Sequence, residues 1–314
     1  MGEQRNSDYL DEDWGALVAN RSKKWEGMLR EFERRGMKKL PLWEKQEYPV
    51  VHPKNFEPGL IVYPSHKGEK RGMLIICPGG GFAFKSSNEG KEVAEYFYEK
   101  GLNVAILDYA VGGQIQGSTG PVSDQDILKA ACEDAKRAVR LVRYYADTWN
   151  IRKDKIGIGG FSAGGMVTSQ LLLHFDRGNA RHEDPIEQVS CRPDATFQMY
   201  GSFRNNPAFT SQVSSGLGFD FSAVHKVSET DVILRLPLDI PPMYMAQTDE
   251  DNPVSILDMG RAYYERGVPF EIHLFHGGPH GCALFDGKHE NSPYFPHTAH
   301  WAELASEWFV MQGF

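Results

Sequence analysis

The sequence predicts an α/β fold: a mostly parallel central sheet with helices on both faces, preceded by a helical segment and carrying an insertion above the sheet. Three observations support that expectation. From about residue 59 onward, short apolar runs of strand length alternate with amphipathic runs of helix length, the pattern of a parallel sheet joined by helical crossovers. The pentapeptide Gly160-Phe161-Ser162-Ala163-Gly164 stands between one such strand and one such helix. Glycine-rich loops follow several of the strands, at the carboxyl edge where open α/β sheets bind ligands.

In residues 1–58, Trp14, Leu17, Val18, Trp25, Met28, Leu29 and Phe32 fall at helical spacing with charges between them, and Gly36 ends the run. This predicts an amphipathic helix packed on the main body. The spacing leaves open a role as a lid or as a contact between copies in a homo-oligomer. The main domain is expected over 59–314. It begins with a strand at 73–77 that runs into a glycine loop. Ser86-Ser87-Asn88-Glu89 then has the pattern of a capping box, opening a helix that stops at Gly101. A buried strand over 102–108, a long amphipathic helix over 126–150 and the strand 155–159 lead to the pentapeptide. Further strands are expected over 195–201, 242–247 and 270–275, with helices over 166–175, 255–266 and 298–311. The Ser-, Gly- and Phe-rich segment 203–238 breaks this rhythm and is taken as a cap-like insertion.

The 314 residues carry a net charge of −8, dispersed along the chain. That balance argues against nucleic acid as a partner. Cys77, Cys132, Cys191 and Cys282 are far apart and form no C-x-x-C, which suits reduced thiols and excludes a zinc-like spacing. The first residues, MGEQRNSDYLDEDW, contain no apolar signal region, and Asn6 stands where a myristoylation motif needs Ser or Thr. No apolar run reaches the ~18 residues of a membrane span. The expectation is a soluble cytoplasmic protein with no membrane partner.

Gly-x-Ser-x-Gly after a strand and before a helix is the setting of a nucleophile elbow. The tight turn forces the serine into a strained backbone conformation, and glycines two residues away on each side let neighbouring backbone pass closely. The helix N-terminus beneath the hydroxyl favours developing negative charge. Ser162 is therefore the candidate nucleophile. His280, in Gly277-Gly278-Pro279-His280-Gly281 after the last strand, is the candidate base. His273 and His276 complete an H-x2-H-x3-H pattern, but their odd separation puts them on opposite faces of a continuing strand, so base chemistry without metal is preferred. For the acid, Asp249 leaves its strand first and is preferred to Asp251. The order Ser162, Asp249, His280 is Ser…Asp…His. For the oxyanion, one backbone N–H is expected from Ala163 and another from the three-glycine loop Cys77-Pro78-Gly79-Gly80-Gly81-Phe82. That loop lacks the Gly-Lys-Ser/Thr of a phosphate-binding P-loop.

At these residues the chain resembles the α/β-hydrolase superfamily. More narrowly it resembles bacterial acetyl xylan and feruloyl esterases, near the hormone-sensitive-lipase-like and dienelactone-hydrolase-like branches. The resemblance covers roughly 60–314. It rests on CPGGGF with Ser-Asn-Glu-Gly after it, on DAKRAVRLVRYYADTWNIRKDKIGIGGFSAGG, on the Asp249 loop and on GVPFEIHLFHGGPHG. It implies Ser162 as nucleophile, Asp249 as acid and His280 as base, with Gly80, Gly81 and Ala163 around the oxyanion. The family's Val-Pro after the acid is replaced here by Asn252-Pro253-Val254.

The expected chemistry is acyl transfer through an acyl-enzyme, on small acyl esters such as acetyl esters of carbohydrates. Phe82, Phe84 and Phe161 are candidates to narrow an acyl pocket. No metal or organic cofactor is implied; the expected partner is a small-molecule or oligosaccharide ester. An arylformamidase, a feruloyl esterase and a silent binding protein on a hydrolase fold are the alternatives.

Overall fold

The computed structural model describes residues 14–43, 52–53, 56–116, 124–201, 236–251, 253–290 and 292–314. Eight strands form one sheet: β1 (Lys39–Pro41), β3 (Gly59–Val62), β5 (Asn103–Asp108), β4 (Arg71–Cys77), β7 (Ile151–Phe161), β8 (Ala195–Met199), β9 (Met243–Thr248) and β10 (Phe270–Phe275), in that spatial order. From β5 to β10 every pairing is parallel, while β1–β3 and β3–β5 are antiparallel. A separate two-stranded ribbon pairs β2 (His52–Pro53) with β6 (Ile115–Gln116).

The period of two along the central strands sorts their side chains between two apolar layers. Met73, Ile75 and Cys77 of β4, with Ala105 and Leu107 of β5, join the layer built on α3 (Asp124–Tyr144) and α4 (Ala163–His174). Leu74, Ile76, Val104 and Ile106 face the opposite layer, built on α1 (Trp14–Arg34), α2 (Val93–Glu99) and α6 (Trp301–Met311). The fully buried β4 and β5 are near-continuous hydrophobic runs for this reason. A third cluster packs α5 (Val254–Arg266) against β9. Glycines admit close packing where the strands need it: a Cβ at Gly157 would meet the Phe314 ring at 2.9 Å.

Helix α1 buries Trp25, Met28 and Phe32 on the sheet, as the spacing of its apolar residues predicts. The Trp25 indole donates to Asp108 Oδ1 (3.0 Å), and that buried carboxylate also takes the ammonium groups of Lys39 (2.9 Å) and Lys85 (2.6 Å). Burial pulls the Lys85 pKa down, and the Asp108 charge beside it works the other way. Residues 1–58 supply more than the expected helix, because β1 extends the main sheet at its edge. The segment expected as an insertion, 203–238, lies outside the described residues as far as residue 235.

The capping box expected at Ser86–Glu89 does not form. No side chain caps the helix start, the first turn (Asn88–Glu92) is π-helical, and the Glu89 side chain is buried inward. A π turn widens the helix locally and is frequent at functional sites. Among the described residues no helix is long and apolar enough to cross a membrane. The four cysteines are buried and not disulfide-bonded.

Candidate active site

Strand β7 ends at Phe161 and α4 begins at Ala163, so Ser162 alone makes the turn between them. Its backbone sits at φ 50°, ψ −118°, a conformation that costs a non-glycine residue about 1–3 kcal/mol. The glycines on either side are required by close approach. A Cβ at Gly160 would stand 2.6 Å from the Gly164 carbonyl carbon, and one at Gly164 would stand 2.7 Å from the Pro78 carbonyl oxygen. Both values lie under 3.0 Å, closer than real Cβ atoms essentially ever come. The elbow is thus pressed against the Cys77–Gly81 loop by its lack of side chains.

The Ser162 hydroxyl lies 2.8 Å from His280 Nε2, and His280 Nδ1 lies 2.6 Å from Asp251 Oδ2. The residue on the imidazole is therefore Asp251, and the expectation of Asp249 is corrected. Asp249 instead binds His276 Nδ1 at 2.6 Å and accepts the Gly277 N–H at 2.9 Å. The reason is local: the Asp249 N–H still pairs with Phe275 O at 2.9 Å, extending the β9–β10 ladder one step past the strand end. Its side chain consequently stays over the first turn after β10. The loop must run two residues further before a carboxylate reaches His280. Asp251 is also the more sequestered of the two, its side chain 11% exposed against 42% for Asp249.

The three histidines of the H-x2-H-x3-H pattern engage three different carboxylates. His273 takes Glu271 (2.7 Å), His276 takes Asp249 and His280 takes Asp251. The loop bearing His280 is fastened by two buried hydroxyls: Thr248 Oγ1 donates to Gly278 O (2.6 Å) and Thr298 Oγ1 to Gly277 O (2.7 Å). Burial works against the imidazolium form of His280. The Asp251 charge, its hydrogen bond and the charge of Glu89 outweigh burial and hold the pKa above the ordinary value of 6.5. For Asp249 the hydrogen bond from His276 lowers the pKa.

The loop after β4 lies against the elbow, since a Cβ on Gly79 would fall 2.9 Å from Ser162 Cβ. Gly80 sits at φ +130° and Gly81 at φ +59°. The Gly80 carbonyl accepts the N–H groups of Ala83 (3.0 Å) and Phe84 (3.2 Å), which turns the loop back on itself. The Gly79 N–H is taken by Glu89 Oε2 at 2.7 Å. Among the described residues no hydrogen-bond acceptor meets the N–H groups of Gly80, Gly81 or Ala163. Those three stand beside Ser162 at the loop and at the first turn of α4, the positions expected of oxyanion donors.

The three candidate pocket phenylalanines separate. Phe161 is fully buried, edge-on to Phe197 and Trp301 at 5.7 and 5.6 Å between ring centroids, so it supports the elbow from below. Phe82 is 2% exposed and packs on Tyr109. Both are corrected from pocket walls to core residues; Phe84 remains half-buried at the loop. Sequence reasoning missed Tyr200, whose ring lies 4.9 Å from the His280 ring, and Glu89, to which the Tyr200 hydroxyl donates at 2.8 Å. Among the described residues, five of the six non-glycine residues with positive φ, namely Phe82, Ser162, Tyr200, Ala283 and Phe285, lie in the loops that meet here. Such strain gathers at functional sites.

A mostly parallel eight-stranded sheet with a serine elbow at its carboxyl edge defines an α/β-hydrolase. The chain belongs to the BD-FAE family, whose model matches residues 60–258. It is 29% identical over 248 residues to an endo-1,4-β-xylanase B of Butyrivibrio fibrisolvens, covering 77% of this chain and 37% of that protein. It is 31% identical over 97 residues to an acetylxylan esterase of Xylanibacter ruminicola, covering 31% of this chain and 18% of that one. The chain thus spans well under half the length of these curated relatives. Among solved structures it resembles an acetyl ester-xyloside bifunctional hydrolase of Caldicellulosiruptor lactoaceticus, with TM-score 0.72 and 30% identity over 88% of this chain and 96% of the other.

Proposed function

We propose that the protein is a serine carboxylester hydrolase that removes small acyl groups, acetyl first among them, from carbohydrate esters such as acetylated xylo-oligosaccharides. The observation that carries this reading is the hydrogen-bonded line from Ser162 Oγ through the His280 ring to Asp251, set on a strained elbow. The xylan-directed names of the relatives support the carbohydrate half of the reading.

His280 Nε2 takes the hydroxyl proton as Ser162 Oγ attacks the ester carbonyl. Asp251 holds the imidazole with Nδ1 protonated and stabilises the imidazolium that forms. The carbonyl oxygen, now an oxyanion, accepts from the N–H of Ala163 and from the Gly80–Gly81 backbone. The imidazolium returns its proton to the departing sugar oxygen, leaving acyl-Ser162 and free alcohol. Water, deprotonated by the now neutral His280, attacks the acyl-enzyme; acetate leaves and Ser162 recovers its proton.

The test is a panel of acetylated xylo-oligosaccharides, a feruloyl ester and N-formylkynurenine, with products followed by mass. Loss of 42 mass units per acetyl group, on the order expected for replacing acetyl by hydrogen, should be fastest on the acetylated sugars. Faster turnover of the feruloyl ester or of the formamide would overturn the acetyl assignment.

A further inference from the structure

We propose that Glu89 is a positioning residue for this reaction: through Tyr200, its carboxylate ties the glycine loop beside Ser162 to the loop that carries His280. The proposal rests on the esterase reading above and goes beyond it.

Glu89 is 2% exposed, and Tyr200 is 4% exposed. Glu89 Oε2 accepts the Gly79 N–H at 2.7 Å, one residue before the expected oxyanion donors. Glu89 Oε1 accepts the Tyr200 hydroxyl at 2.8 Å. The Tyr200 oxygen in turn accepts the Ala283 N–H at 2.9 Å, three residues after His280. Its proton is therefore directed to Glu89. Both carboxylate oxygens face donors, so the ionised form fits this cradle and a neutral acid or amide leaves one donor opposed. Glu89 lies buried in the π turn over Asn88–Glu92, and Tyr200 is held at φ 39°, a conformation that a bulky residue adopts at a cost.

The same charge acts on the base. Glu89 favours the imidazolium of His280, adding to Asp251. Burial raises the pKa of Glu89, while the hydrogen bonds from Tyr200 and Gly79 and the charges of His280 and of Arg21 on α1 oppose that rise. Tyr109 and Cys282 also face Glu89, and burial holds both in their neutral forms. Asp251 and Glu89 are thus two carboxylates that favour the same imidazolium, Asp251 bonded to the ring and Glu89 acting through space.

The experiment compares wild type, Glu89→Gln, Tyr200→Phe and the double variant on p-nitrophenyl acetate across pH, with thermal melts and Ser162→Ala alongside. Glu89→Gln should lower kcat by about tenfold or more with KM within about threefold, since the loss is in alignment and not in binding. Its acid limb of kcat/KM should move to lower pH, which a purely structural role would not produce. Tyr200→Phe keeps the ring over His280 and removes both hydroxyl bonds, so kcat should fall similarly. The double variant should be no slower than the worse single one, because both act in one network. A folded Glu89→Gln with wild-type kcat, an unmoved acid limb, or losses that multiply would each overturn the proposal. If Glu89→Gln fails to fold, Tyr200→Phe with unchanged kcat overturns it. If wild type neither turns over the ester nor labels with a fluorophosphonate, the esterase reading falls and this one with it. If wild type is active and Glu89→Gln matches it, the positioning role alone falls.

Discussion

His280 Nδ1 lies 2.6 Å from Asp251, while Asp249, two residues earlier in the same loop, holds His276 at the same distance. Two carboxylate–histidine pairs therefore stand side by side, and the one that leads to Ser162 is the more buried. Asp251→Asn should reduce kcat by about 10²–10⁴ while leaving the fold intact, because the imidazole loses the partner that fixes its tautomer. Asp249→Asn should leave kcat within about threefold, since an exposed ion pair contributes little. Steady-state rates on p-nitrophenyl acetate, with melting temperatures to confirm folding, separate the two.

The pH profile follows from the charge around His280. Burial opposes the imidazolium and Asp251 and Glu89 favour it, with a net rise above 6.5. The base must be neutral to take the serine proton, so kcat/KM should fall as pH drops through an apparent pKa higher than 6.5. In Asp251→Asn the favourable charge is gone and burial remains, so the acid limb of the residual activity should move to lower pH. A titration of kcat/KM from about pH 5 to 9 reads both limbs.

Backbone geometry in the glycine loop gives a third expectation. Gly80 holds φ +130°, and a Cβ there would press on the Phe84 carbonyl carbon at 2.7 Å. Gly80→Ala must move the loop and with it an expected oxyanion donor, so kcat should fall by about 10²–10³. KM should change far less, because the lost interaction belongs to the transition state.

The anchor of α1 gives a prediction on stability. Asp108 is fully buried between Trp25, Lys39 and Lys85, and Lys85 is itself 2% exposed. Asp108→Asn leaves a buried ammonium without its counter-charge, at a cost of about 3–5 kcal/mol. Chemical denaturation of the variant against wild type measures this directly.

The elbow was legible in sequence because its requirements are steric: only glycine fits at 160 and 164, and the order strand, serine, helix leaves one conformation for Ser162. The sheet was legible for a similar reason, as strands buried on both faces must be written as unbroken apolar runs. Asp251 was not, because choosing between two aspartates depends on where the β9–β10 ladder stops, and a hydrogen bond from Asp249 N to Phe275 O leaves no mark in the sequence. Glu89 carried a misleading mark. Its spacing from Ser86 suits a cap, yet in the π turn it bonds Gly79 and Tyr200 instead. Tyr200 gave no signal, since nothing local distinguishes a tyrosine beneath a histidine from one in the core.

The most direct test of the account is covalent. Intact-protein mass spectrometry after exposure to a fluorophosphonate, with peptide mapping of the adduct, asks whether Ser162 is an activated nucleophile. One adduct on Ser162 in wild type, none in Ser162→Ala, and slow labelling in both His280→Ala and Asp251→Asn is the predicted result. Wild-type protein that takes no label on Ser162, or that labels as fast without His280, would contradict it.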